Sequence, residues 1–105
     1  MSETKLILVQ RANVGKTNRF VIEIKIRRVE KSLRYPEGIK VNMALLDTKL
    51  NCIRLLLDNH APYGFHIHHR LPEEHSEREQ LKCRNHEAAT RFFMSLVERI
   101  VDEEE

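Results

Sequence analysis

The sequence predicts an α+β fold: an antiparallel β-meander of four to five strands with one face covered by a C-terminal amphipathic helix. Two observations lead to this prediction. Apolar and polar residues alternate in several runs before residue 71, and an apolar period of about 3.6 residues follows near the end. The chain has 105 residues, 41% of them hydrophobic and 32% charged, so one domain over residues 1–105 is expected.

The clearest strand pattern lies in residues 20–27, where four large apolar residues occupy every second position. They are Phe20, Ile22, Ile24 and Ile26. Shorter runs predict further strands over residues 5–10, 39–45, 53–57 and 65–70, with turn-forming residues between them.

Two places in the strand pattern are irregular. Arg28 falls on the apolar phase and Val29 on the polar phase, which predicts a register shift there. Residues 71–84 have no clear period. Ser76 and Glu79 have the spacing of a capping box, so both a helical turn and an extended segment stay open.

The final segment has the apolar period of an amphipathic helix, and Asn85 is a suitable N-cap. The apolar positions are Ala89, Phe92, Phe93, Leu96, Val97 and Ile100. The helix is predicted from about His86 to about Asp102. The acidic tail, residues 102–105, is expected to be frayed.

The charge is unevenly distributed along the chain. The formal net charge is +2, but without the acidic tail 18 basic residues face 12 acidic ones, a net charge of +6. The excess of positive charge in residues 1–101 favours a polyanionic partner. The apolar runs are too short to cross a membrane, and Cys52 and Cys83 give no disulfide framework, so a cytoplasmic protein with reduced thiols is expected.

Four basic residues are expected on the solvent-facing side of the sheet, because they fall on the phase opposite to the apolar residues. They are Lys25, Arg27, Lys40 and Arg54. Long cationic side chains on one surface suit phosphate contacts, so these four are the predicted phosphate-binding residues.

Histidines are concentrated in one segment, since five of the six lie within residues 60–75. His66 and His68 point the same way from a strand and could act as a general acid and base, with Asp58 or Arg70 adjusting the pKa of one of these histidines. The same two histidines could instead form part of a metal site, or serve only in structure or partner contacts.

The metal interpretation rests on His66, His68 and Glu73, which resemble the first half of a cupin metal motif. A cupin needs a second histidine motif on a later strand, where this chain has a helix. The spacing also resembles a histidine triad, but Arg70 stands at its third position. The prediction is therefore that the protein has no metal and no cofactor.

The order of segments resembles the TumE-like toxins of bacterial type II toxin–antitoxin pairs over roughly residues 18–101. The resemblance rests on a basic strand end, a second strand, two short motifs and a final Phe- and Leu-rich helix. The quoted segments are Arg27-Arg28-Val29, Gly38 to Asp47, Leu56-Leu-Asp-Asn-His60 and Gly64-Phe-His-Ile-His-His69. The positions that fit the family pattern are Lys40, Asp58, Asn59, His66 and His68, whereas Leu57 stands where an aromatic residue is expected.

The resemblance implies a small toxin that inhibits growth through RNA or translation and is neutralised by a helix-turn-helix antitoxin protein. A metal-independent ribonuclease activity, contact with the ribosome and a homodimer are compatible with it. Two alternatives stay open. One is a non-enzymatic module that binds nucleic acid or an acidic partner through the basic sheet face, and the other is a small His-rich metal-binding protein.

Overall fold

The computed structural model describes residues 5–61, 64–71 and 78–105, apart from the side chains of Lys5, Arg70 and Leu71. Over these residues, six strands form one antiparallel sheet in sequence order, and a helix packs on one face. The elements are β1 (Lys5–Val14), β2 (Phe20–Arg28), β3 (Ile39–Asp47), β4 (Cys52–Asp58), β5 (His66–Leu71), β6 (Glu79–Gln80) and α1 (His86–Glu104). The predicted α+β meander with a covering helix is confirmed.

The sheet has one strand more than predicted, because Glu79–Gln80 pairs with the start of β5. This two-residue strand lies in the segment whose sequence has no clear period. Ser76, the other member of the predicted capping box, lies outside the described residues, and Glu79 is extended and not helical.

The core lies between α1 and the apolar phase of the central strands. Antiparallel pairing places Ile24 beside Met43 and Met43 beside Leu57, so that one face is apolar across β2, β3 and β4. From the helix, Ala89, Phe93 and Val97 are buried against this face. Each fully buried large side chain contributes about 1.5–3 kcal/mol, so the helix and the sheet stabilise each other.

The helix begins as the sequence predicts. Asn85 is extended, with φ −152°, and its side-chain oxygen accepts a hydrogen bond of 2.9 Å from the backbone N–H of Ala88. This bond satisfies one of the amide donors that the first turn leaves without an intrahelical partner.

The acidic tail is not frayed, and the expectation that it would be is wrong. Residues up to Glu104 belong to α1. Glu105 Oε2 accepts hydrogen bonds of 3.0 Å from the backbone N–H groups of Lys16 and Thr17, in the β1–β2 connection. Acidic side chains at a helix C-terminus are disfavoured by the helix dipole, and here backbone donors from the β1–β2 connection offset that cost.

The register shifts occur at other places than the predicted one. β2 keeps its pairing with β3 through Arg28, opposite Ile39. One shift lies in β1 between Leu6 and Leu8, and another lies between β3 and β4 beyond the pair of Leu45 and Leu55. The second shift leaves Arg54 as an extra residue in β4, which changes the face that this side chain reaches.

Within the part of the chain that the structure describes, no helix is both long enough and apolar enough to cross a membrane. Neither Cys52 nor Cys83 is in a disulfide, and both are half-buried.

Candidate functional site

Polar side chains form a row across the middle of the sheet, on the face opposite to α1. Cross-strand pairing places Lys25 beside Asn42, Asn42 beside Asp58, and Asp58 beside His66. Directly paired residues of an antiparallel sheet project from the same face. The register therefore joins a cationic end on β2 and β3 to a histidine end on β4 and β5. These four residues are called the polar row below.

The cationic end consists of three predicted phosphate-binding residues. Lys25, Arg27 and Lys40 line one shallow depression together with Asn42, and Arg27 pairs directly with Lys40. Like charges side by side repel each other, so bringing three of them together favours an anion above this surface. The prediction that these three share one face is confirmed.

Asp58, His60, His66 and His68 form a compact group at the other end, called the His/Asp cluster below. Nδ1 of His60 lies 3.2 Å from Oδ2 of Asp58. The rings of His60 and His66 meet edge to face with their centroids 4.7 Å apart, and those of His66 and His68 do so at 5.3 Å. The predicted shared orientation of His66 and His68 is therefore observed.

The histidine end is buried, although this face was expected to be open to solvent. His66 is fully buried and His68 nearly so. Burial lowers the pKa of His66 below 6.5, a shift that its hydrogen bond with Gly64 opposes and the nearby His60 reinforces. His66 is therefore neutral at pH 7.

The tautomer of His66 follows from its partner. Nδ1 of His66 lies 2.7 Å from the carbonyl oxygen of Gly64. A carbonyl oxygen only accepts, so the proton of the neutral ring is on Nδ1 and the lone pair is on Nε2. The ring can accept a proton, or donate a lone pair to an ion, through Nε2.

Asp58 is oriented by the residue that follows it. The backbone N–H of Asn59 donates a 2.7 Å hydrogen bond to Oδ1 of Asp58. The Asn59 side chain accepts from the N–H of Val41 at 2.9 Å and donates to the carbonyl of Ile39 at 2.7 Å. The amide side chain thus extends the β3–β4 pairing past the end of β4 and fixes where Asp58 stands.

Arg54 does not belong to this surface, and the prediction that it shares a sheet face with Lys25 is wrong. Its guanidinium donates to Oδ2 of Asp47 at 3.1 Å and to the Glu104 carboxylate at the end of α1. The register shift in β4 directs this side chain to the helix side of the sheet. The two carboxylates raise the pKa of the Arg54 guanidinium still further, so it is a permanent structural cation.

Two other predicted residues cannot be placed in this site. Arg70 lies in β5, but its side chain is outside the described part of the chain, and so is all of Glu73. The predicted metal set of His66, His68 and Glu73 therefore lies partly outside the described residues. The three residues whose potential ligand atoms do converge are Asp58, His60 and His66, all within 4.8 Å of one another.

His60 is the cluster residue that the sequence interpretation missed. The predicted strand over residues 53–57 ends before His60. Alternate residues of an extended chain point the same way, so Asp58 and His60 could have been paired from their spacing. The signal was present but weak, because the strand pattern ends at Leu57.

The chain matches no protein-family model, no curated protein and no solved structure. What the site can do is therefore argued from its own residues. Three cations of the kind that can bind phosphate oxygens share a sheet face with imidazoles and a carboxylate of the kind that can transfer protons, and these are the parts that phosphodiester chemistry needs.

Proposed function

We propose that the protein is the toxin component of a type II toxin–antitoxin pair and that it acts on RNA. The observation that carries this proposal is the polar row, which joins three clustered cations to the His/Asp cluster on one sheet face. The resemblance to TumE-like toxins is the second support, and it concerns the same residues.

The cationic end would bind the RNA backbone. Lys25, Arg27 and Lys40 contact phosphate oxygens, and their charge stabilises the additional negative charge of the transition state. Phosphate contacts carry no base specificity, so the choice of RNA site would come from other groups.

The His/Asp cluster would move the protons in a metal-independent cleavage. One of His66 and His68 removes the proton from a ribose 2′-hydroxyl, whose oxygen attacks the adjacent phosphorus. The other protonates the departing 5′-oxygen, so that a 2′,3′-cyclic phosphate and a 5′-hydroxyl result. Asp58 orients the histidine pair.

Two substitutions test this assignment. With metal ions chelated, His68→Gln should lower the rate of cleavage of a labelled RNA by about 100-fold or more, because proton transfer contributes at least that factor. The same variant should relieve the growth arrest caused by induced expression. His69→Gln is the matched control, since that side chain is 43% exposed and outside the cluster.

The outcome of this comparison is decisive once circular dichroism shows that each variant is folded. Unchanged arrest and cleavage with His66→Gln and His68→Gln would exclude the proton-transfer role. Binding that weakens steeply with salt, without any cleavage by the wild-type protein, would instead favour a non-enzymatic nucleic-acid-binding module on the same cationic surface.

The proposed partner is a helix-turn-helix antitoxin, as the resemblance implies. The genetic test is the neighbouring reading frame. Co-expression of a short adjacent frame that encodes such a protein should restore growth and yield a co-purifying complex. A chain that arrests growth with no such neighbour would argue against the toxin–antitoxin assignment.

A further inference from the structure

We propose that Asp58, His60 and His66 bind one divalent transition-metal ion of the Zn²⁺ class. Each of the three offers one potential ligand atom, and these atoms lie within 4.8 Å of one another. The set differs from the one suggested by the sequence, because it includes His60 and does not need Glu73.

The distances are close to those that coordination requires. Ligands at about 2.0–2.1 Å from a tetrahedral zinc ion are roughly 3.3 Å from each other. Nδ1 of His60 and Oδ2 of Asp58 are already 3.2 Å apart. The third ligand has to approach by about 1.5 Å at most, which is within the range of a side-chain adjustment.

Hydrogen bonds outside the set orient two of the three ligands. The Gly64 carbonyl holds Nδ1–H of His66 and leaves the lone pair on Nε2, which is the usual arrangement of a metal-binding histidine. The backbone N–H of Asn59 holds Oδ1 of Asp58, so that Oδ2 is the oxygen beside His60. Such outer contacts set both the tautomer and the orientation of the ligands before an ion arrives.

The surroundings suit an ion that enters from solvent. His66 is fully buried, whereas the side chains of Asp58 and His60 are 18% and 22% exposed. Three protein ligands leave a fourth position for water, as in metal sites that are not purely structural. Two imidazoles and one carboxylate favour Zn²⁺, Co²⁺ or Ni²⁺ over Mg²⁺ or Ca²⁺, which prefer oxygen ligands.

Metal binding has a consequence that rests on the proposed function. An ion on Nε2 of His66 occupies the lone pair that proton transfer would use, so the metal-loaded protein should cleave RNA more slowly than the metal-free protein. The binding itself does not depend on that function.

The binding experiment uses untagged, chelator-treated full-length protein and Zn²⁺ alone. About one equivalent should remain bound after gel filtration, and Co²⁺ should give the intense visible bands of a four-coordinate site. Asp58→Asn and His60→Gln should each weaken Zn²⁺ affinity by at least tenfold in calorimetry. His69→Gln should bind like the wild-type protein.

Three outcomes would overturn the metal site: no retained zinc, a zinc affinity of Asp58→Asn and His60→Gln equal to that of the wild-type protein, or a loss of affinity confined to His69→Gln. The measurement of RNA cleavage with and without Zn²⁺ is interpreted separately. Zinc that binds without slowing cleavage removes the inhibitory consequence alone, and a wild-type protein that never cleaves RNA refutes the ribonuclease proposal while leaving the calorimetric result intact.

Discussion

Asp47 is a buried carboxylate that five donors surround. Its oxygens accept from Nε and Nη2 of Arg19 at 3.0 and 2.9 Å, and from Arg54 at 3.1 Å. The backbone N–H groups of Lys49 and Leu50 add two more hydrogen bonds at 3.0 and 3.1 Å, which close the β3–β4 turn. A single side chain therefore fixes a turn and two arginines.

These donors make folding depend on pH. Burial alone would raise the pKa of Asp47, but the hydrogen bonds from Arg19, Leu50 and Arg54 outweigh it and lower the pKa from 3.8 to about 2. Since the carboxylate is favoured in the folded state, its contribution is fully present above pH 3.8 and is lost as the pH falls towards 2. The shift corresponds to about 2 kcal/mol.

The corresponding test is Asp47→Asn. At pH 7 the variant should be less stable than the wild-type protein by at least about 2 kcal/mol of unfolding free energy. Between pH 4 and pH 2 the unfolding free energy of the variant should fall by less than that of the wild-type protein. Urea unfolding at several pH values measures both effects. Asp102→Asn, on an exposed helix position, is the control and should follow the wild-type curve. Parallel curves for wild type and Asp47→Asn would show that this carboxylate does not set the acid sensitivity.

At the residue scale, alternation predicted the direction of a side chain wherever the strand was regular. The shared faces of His66 with His68, and of Lys25 with Arg27, follow from a period of two. Alternation did not predict the direction of Arg54, because one extra residue in β4 reverses the sheet face to which this side chain points. No local sequence pattern indicates the position of that extra residue.

At the scale of elements, the C-terminal end of α1 is where the sequence prediction was wrong, whereas the start of the helix was predicted correctly. Four consecutive acidic residues are typical of a solvated tail, and the two arginines that bind Glu104 are far from it in sequence. Arg19 and Arg54 both bind the Glu104 carboxylate, and these contacts lower the pKa of Glu104. Long-range ion pairs of this kind leave no trace in a local pattern.

Glu104→Gln tests whether this helix end is held by charge. The variant should lose about 1–2 kcal/mol of unfolding free energy, because two arginines lose a charged acceptor. The loss should shrink as salt is added, since the carboxylate is partly exposed.

Glu103→Gln is the matched control for that experiment, since the exposed neighbour carries the same charge on the same turn. It should change stability by less than about 0.5 kcal/mol. Equal losses in the two variants would mean that the overall charge of the tail matters and the contacts of Glu104 do not.

Among the elements, the long periodic ones were predictable and the short or irregular ones were not. β2, β3 and α1 follow from their apolar periods, and Asn85 marks the helix start. β6 has only two residues and depends on pairing with β5, which is a tertiary contact. The strand β1 runs four residues beyond its predicted end at residue 10 for the same reason, since β2 pairs with it up to Val14.

At the scale of the whole molecule, β1 is the outer strand of the sheet and carries apolar side chains that solvent reaches. Leu6, Ile7, Leu8 and Val9 are 59%, 42%, 39% and 49% exposed. Among the described residues no strand pairs with the outer side of β1. A long, apolar, unpaired edge is a template for pairing with another strand.

We propose that β1 pairs with β1 of a second copy about a two-fold axis. An antiparallel edge is self-complementary in its backbone hydrogen bonds, and the net charge of +2 opposes association only weakly. Arg11, which follows the apolar run on the same strand, is paired with Glu23 of the same chain. This ion pair reduces the charge repulsion that a second copy of β1 would meet at Arg11.

Light scattering after gel filtration should accordingly give the wild-type protein twice its chain mass of 12.5 kDa. Val9→Lys should give the monomer, because each dimer would then bring two new ammonium groups to one apolar edge. Leu50→Lys places the same charge on another exposed leucine, in the β3–β4 turn, and should leave the dimer intact. A monomeric wild-type protein, or a dimer that survives Val9→Lys, would show that this edge does not join two copies.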